Sequence, residues 1–332
     1  MVLEIELKKN VSNMLIINDQ INVKVINNLV FGGAGFLGSH LIDKLLKKGE
    51  NILCIDNFLT GKIENINHLK DNKKFFLIKH DVIEPIKSKI PIEKIWHLAC
   101  PASPFYYQKN PLLTIRINYE GTFNILNLAK DFQSKLLFVS SSEIYGSTSV
   151  IPQDEKVLIN LSTTSPRACY AEGKRIAETL INVFSKVNNL EIRLARIFNT
   201  YGPRLNINDG RVISNFINQS LRDKKLSIYG DGKQTRSFCY VDDMVSGLMR
   251  LMESTYSGPV NLGNEQEITI FDLASLIRNK INPNIKIEYC DLPVDDPRFR
   301  RPCIELAKNK LEWIPKIGLS EGLDRTINFF KL

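Results

Sequence analysis

The chain has 332 residues, of which 43% are hydrophobic and 24% charged, and its formal net charge at pH 7 is +8. This composition is typical of a soluble globular protein with a large core. No run reaches the roughly 18 apolar residues of a membrane span, and no basic run is interleaved with aromatic residues, so we expect neither a membrane nor a nucleic-acid partner. Because there is no such apolar run and the first residues lack a basic segment followed by an unbroken apolar stretch, we expect a cytoplasmic location. The six cysteines form no C-x-x-C pair, which favours reduced thiols and no structural zinc site.

The first half of the chain predicts a repeated β-α pattern. Residues 1–24 are an Ile/Asn-rich extension to which the sequence assigns no role. Short apolar runs then predict strands at 25–31, 51–56, 75–80, 94–98, 135–139 and 191–197. Longer amphipathic stretches predict helices at 36–48, 111–132 and 169–188. Repeated β-α units imply an α/β domain over residues 25–198, built on a doubly wound parallel sheet.

The second half is more irregular. After residue 197, Pro, Gly, Asn and Arg become frequent, and shorter helices are predicted at 212–222, 241–253, 271–280, 304–311 and 320–330. We interpret residues 199–332 as mainly a smaller substrate lobe that is interleaved with the first domain, with elements near 235–255 returning to that domain.

A glycine-rich string follows the first of these strands and opens the first helix, with glycines at positions 32, 33, 35 and 38. Glycines allow a tight turn and the close approach of a pyrophosphate, and a helix N-terminus offers free N–H groups. The next strand ends at Asp56, where a carboxylate can accept from a ribose 2′-hydroxyl and repel a 2′-phosphate. The pattern predicts a Rossmann-type dinucleotide site that prefers NAD to NADP, with a strand-end cap as the alternative role for Asp56. Asp81, after the third strand, is either an adenine contact or a turn residue.

Residues 136–146 read LLFVSSSEIYG, an apolar strand that stops at three serines and a glutamate. Ligands of doubly wound sheets bind beyond the carboxyl ends of the strands. Ser141 and Glu143 would lie there. From these residues alone, a polar turn and a catalytic rim remain equally open interpretations.

Tyr170 and Lys174 begin the long helix and are separated by one helical turn. Residues i and i+4 share a helix face, so the ammonium can lie near the phenol. A nearby positive charge stabilises a phenolate and lowers the pKa of the tyrosine. Tyr170 is therefore predicted to be a general base for a sugar hydroxyl.

Several strings together resemble one enzyme family. They are GGAGFLGSHL, DNFLTG, HLACPASPFYYQKNP, SSEIYG, RACYAEGKRIAETL, ARIFNTYGPRLNINDGRVISNFI, YGDGKQTRSFCYVDDM and DDPRFRRP, and they extend from about residue 29 to the C-terminus. The chain is similar to the UDP-glucuronate decarboxylase (UDP-xylose synthase) family of the extended short-chain dehydrogenase/reductase superfamily. PASP, NDGRVISNF and RRP are the most discriminating of these strings.

The resemblance implies roles for individual residues. It implies that the catalytic residues are Ser141, Glu143, Tyr170, Lys174 and Arg300. It implies that NAD binds to Gly32, Gly35, Phe36, Leu37, Gly38, Asp56, Asn57, Thr60, Gly61, Asp81, Val82, Leu98, Ala99, Tyr170 and Lys174. It implies that the UDP-sugar binds to Pro101, Ser103, Asn199, Arg211, Tyr229, Arg236 and Arg300, and that no metal takes part. Three residues depart from the family pattern, namely Phe31, Ala171 and Cys303.

The reaction that this resemblance implies is the NAD-dependent decarboxylation of UDP-glucuronate to UDP-xylose. It would pass through a 4-keto sugar, and the hydride would return to the same sugar. A 4,6-dehydratase acting on a nucleotide-activated glucose is one alternative. It is disfavoured because Ser142 stands where such enzymes have an acidic aspartate. A C4 epimerase and a non-catalytic NAD-binding sensor are the others. By analogy with the family, we expect a homodimer built on helices 111–132 and 169–188.

Overall fold

The computed structural model describes residues 14–18, 21–146, 148, 150–157, 161–291 and 299–331. Most of the N-terminal extension, and Arg298 in the string DDPRFRRP, therefore lie outside the described residues. Within them, no helix is long and apolar enough to cross a membrane. All six cysteines are free thiols.

The strands and helices follow the chain in an order dominated by β-α alternation. The strands are β1 Leu15–Ile17, β2 Ile26–Phe31, β3 Ile52–Asp56, β4 Phe75–Lys79, β5 Ile86–Ser88, β6 Ile92–His97, β7 Lys135–Ser141, β8 Ile192–Ile197, β9 Thr200–Tyr201, β10 Leu226–Tyr229, β11 Thr235–Ser237, β12 Cys239–Tyr240, β13 Pro259–Leu262, β14 Glu267–Thr269, β15 Ile287–Cys290 and β16 Phe299–Arg300. The helices are α1 Phe36–Lys47, α2 Pro104–Lys109, α3 Pro111–Arg116, α4 Thr122–Phe132, α5 Ala168–Asn188, α6 Val212–Leu221, α7 Val241–Glu253, α8 Ile270–Ile281, α9 Glu305–Leu311 and α10 Leu319–Lys331.

A seven-stranded parallel sheet forms the centre, with the strand order β13-β8-β7-β6-β2-β3-β4. The order runs outward in opposite directions from β2 and β6, which is the doubly wound arrangement with its ligand crevice at the point of reversal. The predicted α/β class and Rossmann-type sheet are confirmed. Because side chains alternate along a strand, Val30 and Cys54 face one core with α1 and α7, whereas Leu29 and Leu53 face the other with α4 and α5.

The predicted helix at 111–132 is interrupted by a π-helical turn, Ile117–Gly121, between α3 and α4. The turn seats Gly121 against Val82, where an added Cβ would come within 2.7 Å of the valine side chain. It also buries Asn118, whose amide donates to the Thr114 carbonyl at 2.8 Å. Hydrophobic periodicity does not reveal a single widened turn, so the sequence indicated one continuous helix.

The second half of the chain contributes both to the central sheet and to three small sheets. β13, which the sequence analysis did not identify, extends the central sheet beside β8. The small sheets are β10-β15, β14-β11-β16 and β12-β9. β16 pairs with β11 in a register that sets Arg300 beside Arg236, and both arginines are buried. This pairing brings a distant part of the chain to the edge of the crevice.

Candidate active site

A cleft of about 700 Å³ opens at the carboxyl ends of the central strands. Every residue that the sequence analysis assigned to catalysis, cofactor binding or substrate binding lines this cleft. The predicted residues come from widely separated positions, from Gly32 after β2 to Arg300 on β16. The structure thus brings the predicted set together, and the individual roles remain predictions.

The Gly-rich turn has the shape that a bound pyrophosphate needs. Gly32 has φ +77°, and a Cβ there would lie 2.9 Å from the backbone of Ala99. A Cβ on Gly38 would come within 2.2 Å of the Gly32 carbonyl oxygen. α1 begins at Phe36 directly after this turn, so its first N–H groups face the cleft without helical partners. A side chain at either position would collide with neighbouring backbone, so this tight turn requires glycine at both.

Asp56 lies at the end of β3 and serves locally as a cap. Its two carboxylate oxygens accept from the backbone N–H groups of Ala34, at 2.9 Å, and Phe58, at 2.8 Å. Burial raises the pKa of Asp56, and these two hydrogen bonds oppose the rise in part. The same carboxylate lines the cleft below Gly61, where a Cβ would lie 2.9 Å from its oxygens. The cap and the ribose contact are therefore compatible roles for one side chain.

Asp81 and Asn57 form the far end of this half of the cleft. The Asn57 amide donates to Asp81 at 2.8 Å, and the Ile83 backbone N–H donates to the same carboxylate at 3.1 Å. Asp81 is thus a turn residue by its hydrogen bonds and a cleft residue by its position. Together with the glycines and Asp56, this end fits an adenosine and a pyrophosphate, which is the chemistry of a dinucleotide.

Tyr170 is buried on the first turn of α5 and stacks against Tyr107, with ring centroids 4.9 Å apart and planes at 6°. Burial raises the pKa of Tyr170 well above its usual range, and a hydrogen bond with the Ser141 hydroxyl opposes the rise. The expectation that the pKa of Tyr170 is lowered by Lys174 is therefore wrong. Desolvation disfavours the phenolate more than the surrounding charges favour it.

Lys174 is buried below Tyr170 and does not form an ion pair with it. Its ammonium donates to the Val139 carbonyl at 3.0 Å and lies 4.6 Å from the Phe138 ring centroid and 5.8 Å from that of Tyr170. Burial lowers the pKa of Lys174 from its ordinary value. The lysine is held by the end of β7 and lines the same cleft as the Gly-rich turn.

Glu143 is surrounded by arginines. Arg167 lies 3.4 Å and Arg300 3.8 Å from its carboxylate oxygens. Burial alone would raise the pKa of Glu143, but the charges of Arg300, Arg167 and Arg236 outweigh it, and the pKa is lowered. Glu143 is therefore a carboxylate at neutral pH, and the SSSE string is part of the cleft wall rather than a surface turn.

Arg300 is held at the same point by backbone oxygens. One of its guanidinium nitrogens donates to the Ser142 carbonyl and another to that of Gly146, the latter at 3.5 Å. Its Nε has no hydrogen-bond partner within the described part of the chain, and neither do the buried hydroxyls of Ser103 and Ser140 in the same cleft. Buried polar groups without partners are costly, so these atoms indicate a polar ligand.

Four further residues complete the substrate side of the cleft. The Arg236 guanidinium donates to the Thr235 carbonyl at 2.8 Å, and Arg211 pairs with Asp209 at 3.3 Å. Asn199 lies at the end of β8, and Tyr229 presents a ring that is 45% exposed. Cationic and aromatic side chains of this kind suit a nucleoside diphosphate.

Two residues at the site were missed by the sequence analysis. Arg167, three positions before Tyr170, pairs with Glu143, and Tyr107 stacks on Tyr170. Arg167 and Tyr170 are three positions apart at the start of α5, and residues with this spacing share a helix face, so the sequence did contain a signal for Arg167. Tyr107 lies within the PASPFYYQ string, but nothing in its local pattern predicts a stacked ring. Among the described residues, no three His, Cys, Asp or Glu side chains form a possible metal site.

Comparison with known proteins gives the same family from several directions. The family model described as GDP-mannose 4,6 dehydratase matches residues 29–326. UDP-glucuronic acid decarboxylase 4 of Arabidopsis thaliana is 50% identical over 308 residues, covering 93% of this chain and 69% of the relative. UDP-glucuronic acid decarboxylase 3 of the same plant is 49% identical over 305 residues, covering 92% and 89%. UDP-glucuronic acid decarboxylase 1 of Xenopus tropicalis is 48% identical over 303 residues, covering 91% and 72%.

Solved structures agree on the fold. UDP-glucose 4-epimerase of Thermotoga maritima, in complex with UDP-glucose, superposes with a TM-score of 0.83 at 28% identity and covers 92% of this chain and 98% of that one. UDP-glucuronic acid 4-epimerase of Bacillus cereus, in complex with UDP-glucuronic acid and NAD, gives 0.82 at 28% identity, covering 92% and 99%. With half of its residues identical to those relatives over nearly its whole length, this chain belongs to the UDP-glucuronic acid decarboxylase family of the extended short-chain dehydrogenase/reductases.

Proposed function

We propose that this protein decarboxylates UDP-glucuronate to UDP-xylose through a 4-keto sugar, with NAD recycled within each turnover. The observation that carries the proposal is the position of Arg300. It is buried in the cleft beside an ionised Glu143, and its Nε has no partner among the described residues. The membership of the chain in the decarboxylase family supports the same activity.

The first step requires a base at the C4 hydroxyl of the sugar. Tyr170 supplies it, because the phenol is buried in the cleft and is hydrogen-bonded with Ser141. NAD held by the Gly-rich turn and Asp56 would supply the hydride acceptor for C4 and the hydride donor for the final reduction. Lys174 and Tyr107 keep the phenol in place, one from the helix face and one by stacking.

The second step is the loss of CO₂. Once C4 is a ketone, the C5 carboxylate is a β-keto acid, and the electrons of the breaking bond flow into the ketone. Arg300 places the carboxylate. Glu143, as an ionised carboxylate, and Ser141 orient the ring and position the water or hydroxyl from which C5 takes its proton. These groups act mainly by positioning and charge, which is what a buried site provides.

Dehydration is a poorer match to the site. A 4,6-dehydratase must protonate a departing hydroxyl, which requires an acid near C6. At this position the chain has Ser142, and the arginines keep the pKa of the neighbouring Glu143 low. Neither group is a proton donor at neutral pH.

C4 epimerisation is the second candidate, because the superposed UDP-glucuronic acid 4-epimerase has the same fold. An epimerase needs the cofactor, the tyrosine and the lysine, all of which line this cleft. Epimerisation keeps the carboxylate on the sugar, so the mass of the product separates the two activities.

The direct test is to incubate the purified protein with UDP-glucuronate and to determine the product mass. A decarboxylated product is lighter by about 44 mass units, a dehydrated one by about 18, and an epimer keeps its mass. Tyr170→Phe is the matched inactive control, since it deletes the base and retains the ring. A product of unchanged mass would replace this proposal with epimerisation.

We also propose a homodimer and a division of labour between the two parts of the chain. Apolar side chains on α3, the π-helical turn, α4 and α5 are exposed at helical spacing, namely Leu112, Ile115, Tyr119, Phe123, Ile176, Val183 and Val187. A second copy of the same helices would cover them.

In the proposed division of labour, residues 25–198 would bind NAD, and residues 199–332 would bind mainly the nucleotide sugar. The six free thiols favour a cytoplasmic location.

A further inference from the structure

A chain of buried polar residues runs behind the cleft without touching it. Its members are Glu178, Arg196, Tyr145, Asn261 and Gln153, and we refer to it as the buried polar chain. None of the five lines the cleft. They cannot act on substrate directly, and any effect on catalysis must pass through their neighbours.

The buried polar chain begins on α5, the helix that carries Tyr170, the proposed base. Glu178 is one helical turn beyond Lys174 on α5. Its carboxylate accepts two hydrogen bonds from Arg196, at 2.8 and 3.1 Å, and both side chains are nearly inaccessible. Arg196 lies on β8, in register with Ser140 on β7 and Asn261 on β13. A bidentate pair of this kind sets the position of α5 on the strand ends.

The middle of the buried polar chain reaches the turn that carries Glu143. The third nitrogen of Arg196 donates to the Tyr145 hydroxyl at 3.1 Å, and this hydroxyl donates to the Asn261 side-chain oxygen at 2.7 Å. Tyr145 is fully buried and is only two residues beyond Glu143, in the same short helical turn. The position of its ring and hydroxyl therefore fixes that turn.

The far end of the buried polar chain, at Asn261 and Gln153, holds the segment that follows Arg300. The Asn261 amide donates to the Gln153 carbonyl at 2.9 Å and to the Cys303 carbonyl at 3.3 Å. Gln153 is paired with Arg301 through both its backbone N–H, at 2.9 Å, and its side-chain oxygen, at 3.0 Å. The Cys303 N–H donates to Gln153 at 2.8 Å. Because Cys303 is held by its backbone alone, the departure from the family pattern at this position leaves these contacts intact.

We infer that the buried polar chain is a positioning device that holds Arg300 and Glu143 in fixed geometry relative to Tyr170, and so commits the 4-keto sugar to decarboxylation and reduction. The inference rests on the proposed function. The acting groups of this site come from α5, from the turn after β7 and from β16. Contacts among these three elements must fix the relative positions of the groups, because small misplacements of reacting groups cost large factors in rate. Buried polar groups can fix the register of packed elements, and the Glu178–Arg196 pair has that role between α5 and β8.

If Arg300 and Glu143 are no longer held in position relative to Tyr170, a specific side reaction is expected. If the keto sugar leaves before the hydride returns, UDP-glucuronate and NAD⁺ give the UDP-4-keto-pentose, CO₂ and NADH. The hydroxyl proton taken at C4 balances the proton added at C5. Release of this product is therefore measured as NADH in equal amount to the keto sugar.

Two variants test the inference without removing a large side chain. Tyr145→Phe deletes the hydroxyl between Arg196 and Asn261, and Gln153→Met deletes the acceptor that holds Arg301. Thr326→Val is the control, because it also removes one buried hydroxyl with a hydrogen bond, at 2.6 Å, and Thr326 does not line the cleft. NAD binding and the thermal midpoint of each purified variant show that it is folded.

We expect both test variants to lower kcat for UDP-xylose by about tenfold while KM for UDP-glucuronate stays within about twofold, because the UDP contacts are not disturbed. Both should also release the keto pentose with equimolar NADH, which the wild type and Thr326→Val do not. Wild-type kcat and no keto product in either folded variant would overturn the inference, as would an effect in only one of them or an equal effect in Thr326→Val. Failure of the wild type itself to release CO₂ would instead refute the proposed function, and the inference with it.

Discussion

The local environment of Tyr170 works against its proposed role as a base. Burial raises the pKa of the phenol, whereas a base must lose its proton during the reaction. Ser141 and the charge of Arg211 partly offset this burial. The remaining assistance must come with the bound ligands, so we expect the site to be chemically inactive until both NAD and UDP-sugar are in place.

Asp56 should determine the choice between NAD and NADP. Replacing it with Ser removes the charge that would repel a 2′-phosphate and retains a small polar group. We expect NAD binding to weaken by about tenfold, the contribution of one hydrogen bond to a charged group, and the preference over NADP to fall. Titration calorimetry with both cofactors measures this.

The control for Asp56→Ser is UDP binding, which should be unchanged because Asp56 lies on the opposite part of the cleft from Arg236. An Asp56→Ser variant with the wild-type preference for NAD would assign selectivity to another residue. A loss of UDP binding would contradict the proposed division between the two parts of the chain.

Glu143 should give the protein an acid-sensitive contribution to stability. The arginines lower the pKa of Glu143 below its ordinary 4.5, so its ion pairs stabilise the fold fully above that value and are lost as the pH falls through the lowered pKa. Glu143→Gln should therefore be less stable than the wild type at neutral pH, and the difference in free energy of unfolding should shrink below about pH 4.5. Urea unfolding over this pH range measures it.

Glu265→Gln is the matched control for Glu143→Gln, because Glu265 pairs with Lys308 at 2.9 Å on the surface. Exposed pairs contribute little, so this variant should follow the wild type at every pH. A Glu143→Gln difference that stays constant down to strongly acidic pH would show that the carboxylate is not ionised in the folded protein.

At the scale of elements, α5 combines two functions on opposite faces. Its inner face carries Tyr170, Lys174 and Glu178, which are buried, while Val183 and Val187 on the outer face are 57% and 78% exposed. α3 packs beside α5 and exposes Leu112 by 74%. An outer face this apolar is typical of a helix that packs against another subunit.

We therefore expect Val183→Asp/Val187→Asp to convert the protein to a monomer in sedimentation velocity. The charges would lie within the buried centre of the proposed interface, where unpaired charges are costly. Ile314→Asp is the control, since Ile314 is similarly exposed but lies away from these helices. A monomeric wild type, or a double variant that remains dimeric, would contradict the proposed interface.

The regular elements were predictable from the sequence and the irregular ones were not. α1 and α7 begin and end within one residue of the prediction, because their apolar positions repeat at helical spacing. β13 was missed because PVNL is too short to give a periodic signal. The cleft residues were found through strings near strand ends. The stacking of Tyr107 on Tyr170 and the contacts of Asn261 with Tyr145 and Gln153 join residues more than 50 positions apart in the sequence, so no local pattern predicts them.

At the scale of the whole molecule, the cleft forms where the two halves of the chain meet. The Gly-rich turn, Asp56 and Asp81 form one end, and Arg211, Arg236 and Tyr229 line the other. The acting groups lie between these two ends, on the carboxyl side of the sheet. The net charge of +8 and the arginines of the cleft suit a substrate with a diphosphate and a carboxylate.

The most direct test of the whole account is to follow deuterium from C4 of UDP-glucuronate. The account predicts that UDP-[4-²H]glucuronate is converted to UDP-xylose that retains the deuterium at C4, with release of CO₂ and no accumulation of reduced cofactor, because the hydride leaves and returns within one turnover. The mass and proton spectrum of the product measure both points. UDP-xylose without deuterium at C4, or a labelled sugar that keeps its carboxylate, would contradict it.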